Sequence, residues 1–196
     1  MWETLIALGV PLEVQRLFNL HDAVFDYGDS VETYTPASFF IPASRNLWIA
    51  GNESATEVLI SRSAMDCIAF LSLNLFKYRQ PEKLCFIALG NRPANGQLNW
   101  IRDNFKKRKY TLLFEDDLAG RATDIVVAAG LKSHPVKLHW SGETVVVACK
   151  NRSVKFPAHQ LSLNSFELAF SIRTGIRTRK PIHYSTFLDQ LRYDTS

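Results

Sequence analysis

Three consecutive acids, Glu115, Asp116 and Asp117, follow the apolar run Tyr110-Thr-Leu-Leu-Phe114 and precede Gly120 and Arg121. Carboxylates with one residue between them, at the end of a strand, suit an oxygen-preferring divalent ion such as Mg²⁺. They suit a second duty equally well, because Asp117 and its neighbours can cap the next helix and favour its dipole. Two further turns fall at comparable places. Glu57-Val-Leu-Ile-Ser61 runs into Arg62 and Ser63, and Lys83-Leu-Cys-Phe-Ile-Ala-Leu89 runs into Gly90 and Asn91. The five histidines, His21, His134, His139, His159 and His183, show no paired metal-ligand spacing. Neither G-x-x-x-x-G-K-[ST] nor G-x-S-x-G occurs, so P-loop and α/β-hydrolase chemistry lack support.

The elements that must hold these turns are apolar strands alternating with helical stretches. Helices are expected over Ser63 to Phe76, Gln97 to Lys107 and Leu118 to Ala129, with a fourth strand over Val136 to Trp140. That alternation predicts a mainly parallel α/β sheet covered by helices on both faces. Ligands of such sheets bind beyond the carboxyl ends of the strands, where all three turns fall. Ahead of this region, residues 3–18 read as a helical hairpin, broken at Gly9 and restarted at Pro11. Residues 21–50, including SFFIPA and NLWIA, read as a small antiparallel ribbon. Behind it, TVVVACKNRSVKFP reads as a hairpin, followed by a helix over Leu163 to Ile172. A basic linker with Arg173, Arg177, Arg179 and Lys180 leads to a last helix over Ser185 to Leu191. Trp48, Trp100 and Trp140 lie in apolar patterns and are expected in the core.

The segments VLISRSAMDCIAF, CFIALGN and TLLFEDDLAGRATD, in this order, resemble the three motifs of the Toprim family of primases and topoisomerases. The resemblance spans roughly residues 45–140. Glu115, Asp117, Gly120 and Arg121 stand where that family has its Asp-x-Asp-x-x-Gly-Arg turn, Asp66 where an acid begins the first helix, and Gly90 where a loop glycine follows the second strand. The resemblance implies a Toprim-like, Rossmann-like domain over 51–145. A helical hairpin with short strands over 1–50 would precede it, and a basic hairpin-plus-helices extension over 146–196 would pack on it. It also implies that Glu115 and Asp117 are the metal positions. One departure stands out. Where the family places a proton-handling glutamate, at the end of the first strand, this chain has Arg62, followed by Ser63 in place of glycine. A guanidinium is no general base near neutral pH and repels a divalent cation. Glu57 and Glu53 sit too early in the chain to substitute. Arg62 is instead expected to meet a phosphate, or to pair with Glu115 or Asp117 in the metal's place.

The chain of 196 residues carries a net charge of +4, unevenly spread. From Gly130 onward there are ten Lys and Arg against four Asp and Glu, and before it thirteen against fifteen. A basic tail on a near-neutral body fits a phosphate-rich partner, and it fits plain solubilisation too. The candidate nucleic-acid contacts are Arg62, Arg121, Arg173, Arg177, Arg179 and Lys180. Cys67, Cys85 and Cys149 lie in apolar stretches without C-x-x-C spacing, as expected of core thiols in a reducing compartment. The N-terminus shows no basic n-region and no apolar run of spanning length occurs, so a cytoplasmic protein is expected. The resemblance thus implies a non-catalytic, Toprim-like protein of DNA metabolism, primase- or mobilisation-related, from a bacterial mobile element. It would contact nucleic acid or a nucleic-acid-processing protein and bind Mg²⁺ weakly or not at all. An active metal-dependent nuclease or nucleotidyl transferase using Glu115 and Asp117, and a protein-interaction scaffold, are the alternatives.

Overall fold

The computed structural model of the chain describes residues 2–35, 37–52, 54–78 and 80–194; Glu53, weighed above as a substitute acid, lies outside them. Two short helices open the chain, α1 (Trp2–Ala7) and α2 (Leu12–Leu17), followed by a ribbon of β1 (Val24–Asp26), β2 (Val31–Tyr34) and β3 (Phe39–Phe40). Next come β4 (Trp48–Gly51), β5 (Glu57–Ser61), α3 (Ala64–Asn74), β6 (Leu84–Ala88), α4 (Asn95–Asn104), β7 (Lys109–Leu112) and α5 (Leu118–Leu131). The remainder is β8 (Val136–Ser141), β9 (Thr144–Cys149), β10 (Arg152–Pro157), α6 (Leu163–Phe170), β11 (Arg177–Thr178) and α7 (Phe187–Tyr193).

The architecture is α/β with a mixed five-stranded sheet in the order β11-β7-β5-β6-β4. β5 pairs in parallel with both β6 and β7, β11 is parallel to β7, and β4 runs antiparallel on β6. Alternation along the strands assigns side chains to two cores. Val58, Ile60, Cys85, Ile87, Leu112 and Phe114 face α4 and α5, with β9, β10 and α6 completing that layer. Leu59, Phe86, Ala88 and Leu113 face α3, with α1, α2, β1, β2 and α7 around it. All three cysteines are buried and none forms a disulfide among the described residues.

Three expectations need correction. Val136–Ser141 is not a fourth strand of the parallel sheet; it is the edge of an antiparallel sheet in the order β10-β9-β8. Its sequence begins as an apolar–polar alternation in which Val136 and Leu138 are partly buried while Lys137, His139, Trp140 and Ser141 are exposed, the pattern of a strand covered on one face only. The place beside β7 goes to β11, two residues inside the segment read as a basic linker. β4 likewise leaves the antiparallel ribbon to close the far edge of the main sheet. Trp100 and Trp140 are exposed rather than core, at 42% and 59%.

Candidate functional site

The carboxyl ends of β5, β6 and β7 lie side by side, and short bonds lock their turns together. The backbone N–H groups of Leu89 and Gly90 donate to the carbonyls of Ser61 and Arg62 at 3.0 and 2.9 Å. Gly90 adopts φ +78°, and a Cβ there would lie 2.6 Å from the Pro42 carbonyl oxygen, so only glycine fits without displacement. At the third turn a Cβ on Gly120 would collide with the carbonyl oxygen of Glu115. The first turn of α5 can fold back on the strand end only because that position is bare.

Helix α3 starts in this cleft under tight control. Ser63 is its N-cap, with the hydroxyl accepting from Asp66 N–H at 3.0 Å and donating to the Asp66 carboxylate at 2.8 Å. The first two helical N–H groups, of Ala64 and Met65, donate to Glu32 at 3.0 and 3.1 Å. Glu32 is fully buried, reaches in from β2, and also accepts from the Tyr27 hydroxyl at 2.6 Å. A carboxylate from the N-terminal ribbon thus fills the helix end that would otherwise attract an anion. Burial pushes the Glu32 carboxyl up from its ordinary range, against the pull of these hydrogen bonds.

Two cation–carboxylate pairs lie in the cleft. Arg62 Nε lies 2.5 Å from Glu115 Oε1, with the two side chains 30% and 12% exposed. Neither atom makes a hydrogen bond, so the contact is ionic with poor angles. Asp117 does not share in it. Its side chain caps α5, accepting from Gly120 N–H at 2.7 Å, while its carbonyl accepts from Arg121 Nε at 3.1 Å. A second cation enters from the C-terminal segment. Lys180 Nζ sits 2.7 Å from Asp124 Oδ2 and donates to the carbonyls of Phe114 and Glu115 at 3.1 and 2.9 Å. Asp124, on α5, is only 2% exposed. Burial lifts its carboxyl to about 6, opposed by the charge of Lys180. Asp66 rises to about 7, first through burial and then through the negative charge of Glu115.

The C-terminal segment also closes the cleft physically. Leu188 N–H donates to Asp66 at 3.2 Å and Asp116 N–H donates to the Ser185 carbonyl at 3.1 Å. What stays open beside Arg62, Asp66 and Tyr34 is a cavity of about 70 Å³.

A divalent cation does not fit this donor set. A guanidinium stands on Glu115, an ammonium stands on Asp124 and the two strand-end carbonyls, and the Asp117 carboxylate already accepts a helix N–H. Any divalent cation entering would meet the two positive charges already standing beside these carboxylates.

Of the six candidate phosphate contacts, Arg62 and Lys180 are therefore engaged internally and Arg121 is partly buried on α5. Arg173, Arg177 and Arg179 are exposed. Sequence reasoning missed Asp124, Glu32 and the run Lys106-Lys-Arg-Lys109. The first two carried a signal, a lone acid inside an otherwise apolar helix face or strand, and the third is four consecutive cations entering β7. No family model, curated protein or solved structure matches this chain.

Proposed function

We propose that the chain is a non-catalytic, Toprim-like protein of DNA metabolism, primase- or mobilisation-related, that contacts nucleic acid or a nucleic-acid-processing protein. The observation that carries the non-catalytic part is the Arg62–Glu115 ion pair. A permanently charged guanidinium stands where proton transfer would need a carboxylate, and it neutralises one of the two acids at the expected metal positions. Mg²⁺ binding is accordingly weak or absent. The nucleic-acid part is supported by the surplus of cations after Gly130 and by the exposure of Arg173, Arg177 and Arg179.

The test has two halves. Incubation with single-stranded and duplex DNA and RNA in Mg²⁺ or Mn²⁺ is expected to give neither cleavage nor nucleotide incorporation. Turnover that disappears in Asp117→Ala would restore the enzyme reading. Equilibrium binding to the same nucleic acids is expected to be measurable at low salt and to weaken steeply as salt rises. Absence of binding at low salt contradicts the nucleic-acid reading.

A further inference from the structure

Resting on that nucleic-acid reading, we propose that single-stranded nucleic acid binds in the groove on the flank of the sheet between α3, α7 and the β11 segment, and not in the strand-end cleft. The groove encloses about 550 Å³ and is lined by Asn74, Lys77, Tyr78, Arg179, Phe187 and Gln190 among others. That volume suits a nucleotide-sized ligand. β11 is the outer strand of its sheet, so the flank is open to solvent.

The cations here differ in kind from those of the cleft. Arg177 and Arg179 are two residues apart along an extended segment, which places them on one side of it. Arg179 and Tyr78 both line the groove, and Arg177 lies two residues back on the same side of the strand. Among the described residues neither arginine is ion-paired with a carboxylate. Among the described residues Lys77 Nζ holds neutral partners, the Asn74 amide oxygen at 3.1 Å and the Phe76 ring at 5.1 Å. Lys180 lines the same groove but is already bound to Asp124. Two acids also face this region. Asp194 lines the groove, and Glu57, which accepts from the Thr111 hydroxyl at 2.7 Å, acts on Tyr78. Three unpaired cations outnumber them.

Tyr78 supplies the apolar half of the site. It is half-buried, with its ring braced against Phe70 at 5.8 Å, a fixed surface on which a base of any identity can stack. The positive track does not stop at the groove. β11 pairs Arg177 with Thr111 of β7, and β7 begins at Lys109, the last of four consecutive cations. A pocket of one-nucleotide size with further cations along the neighbouring strand, broken only by Glu57 beside Lys109, fits a strand passing through better than an isolated nucleotide.

The experiment is fluorescence anisotropy with an end-labelled oligothymidylate of about twelve nucleotides, in about 50 mM salt and upward. It compares wild type, the triple variant Lys77→Ala/Arg177→Ala/Arg179→Ala, and a control triple of exposed lysines on the antiparallel-sheet side, Lys132→Ala/Lys137→Ala/Lys155→Ala. The groove triple is expected to lose at least about tenfold in affinity and to lower the slope of log K against log salt by about 2. The control should lose less than about threefold. Tyr78→Phe should bind as wild type does, and Tyr78→Ala should lose at least about fivefold. Thermal melts of each variant confirm that it is folded. Wild-type-like binding by the folded groove triple, or an equal loss in the control, overturns the groove while leaving nucleic-acid binding intact. Thymidine monophosphate competing as well as the oligonucleotide overturns the strand and leaves a nucleotide pocket. No binding by wild type at the lowest salt overturns the nucleic-acid reading itself.

Discussion

The strand-end cleft and the β11 flank both gather cations beside aromatic and acidic groups, yet they use them in opposite ways. In the cleft Arg62 and Lys180 reach Glu115 and the buried Asp124, and the segment from Ser185 to Leu188 closes over them. On the flank Lys77, Arg177 and Arg179 have no carboxylate partner among the described residues. A count of lysines and arginines does not distinguish the two. What distinguishes them is whether a desolvated carboxylate stands within reach, since such a group costs several kcal/mol unless a cation accompanies it. Cations in the cleft hold the fold together, whereas those on the flank are available to a ligand.

The comparison breaks most sharply at Lys180. Lys180→Met leaves Asp124 buried without its cation, and urea unfolding at neutral pH should show a loss of about 3 kcal/mol. Lowering the pH should recover part of it, because the Asp124 carboxyl, near 6 even with the lysine present, then takes up a proton. Removing the α5 cap by Asp117→Ala is smaller, about 1 kcal/mol by the same measurement.

Asp66 tests the cleft through pH. Its folded carboxyl titrates near 7 against an ordinary 3.8, so between these values the native state keeps a proton that the unfolded chain releases. Stability from this group is therefore lost as pH rises from about 4 to about 7 and stays lost above that. Asp66→Asn should overtake wild type progressively across that window, by about 1 kcal/mol or more at its upper end, in denaturant titrations run as a pH series. The smallest stability change is expected on the flank. The Lys77/Arg177/Arg179 triple should unfold within about 0.5 kcal/mol of wild type. A larger loss there would mean that the flank cations also serve the fold, and the contrast would fail.

The parts of the molecule that were legible in the sequence share a physical trait. β5, β6 and β7 are continuous apolar runs because helices bury both faces of the sheet, and α3, α5, α6 and α7 each follow a Ser, Asp or Thr that caps them. β11 left no such trace. It is two residues long and exposed on the edge, held there by the parallel ladder to β7 and by the Arg179 N–H bond to Leu112. β8 was misplaced although its alternation marked a one-sided strand. Within the site, strand-end geometry placed Arg62 within reach of Glu115 or Asp117, and the structure pairs it with Glu115. Lys180 and Asp124 could not be brought together that way, because their meeting depends on a chain return that only the packed structure supplies. Glu32 showed as an acid within a strand but its partners did not, since those on α3 lie in a different element of the chain.

The central claim is that the cleft's own cations occupy the acidic turn, and calorimetric titration of wild type and Arg62→Glu with Mg²⁺ and Mn²⁺ tests it most directly. The account predicts no heat of binding for wild type at millimolar metal, and measurable binding once the guanidinium at position 62 is replaced by a carboxylate. Micromolar binding by wild type would contradict it, because Glu115 would then have to be free of Arg62 in solution.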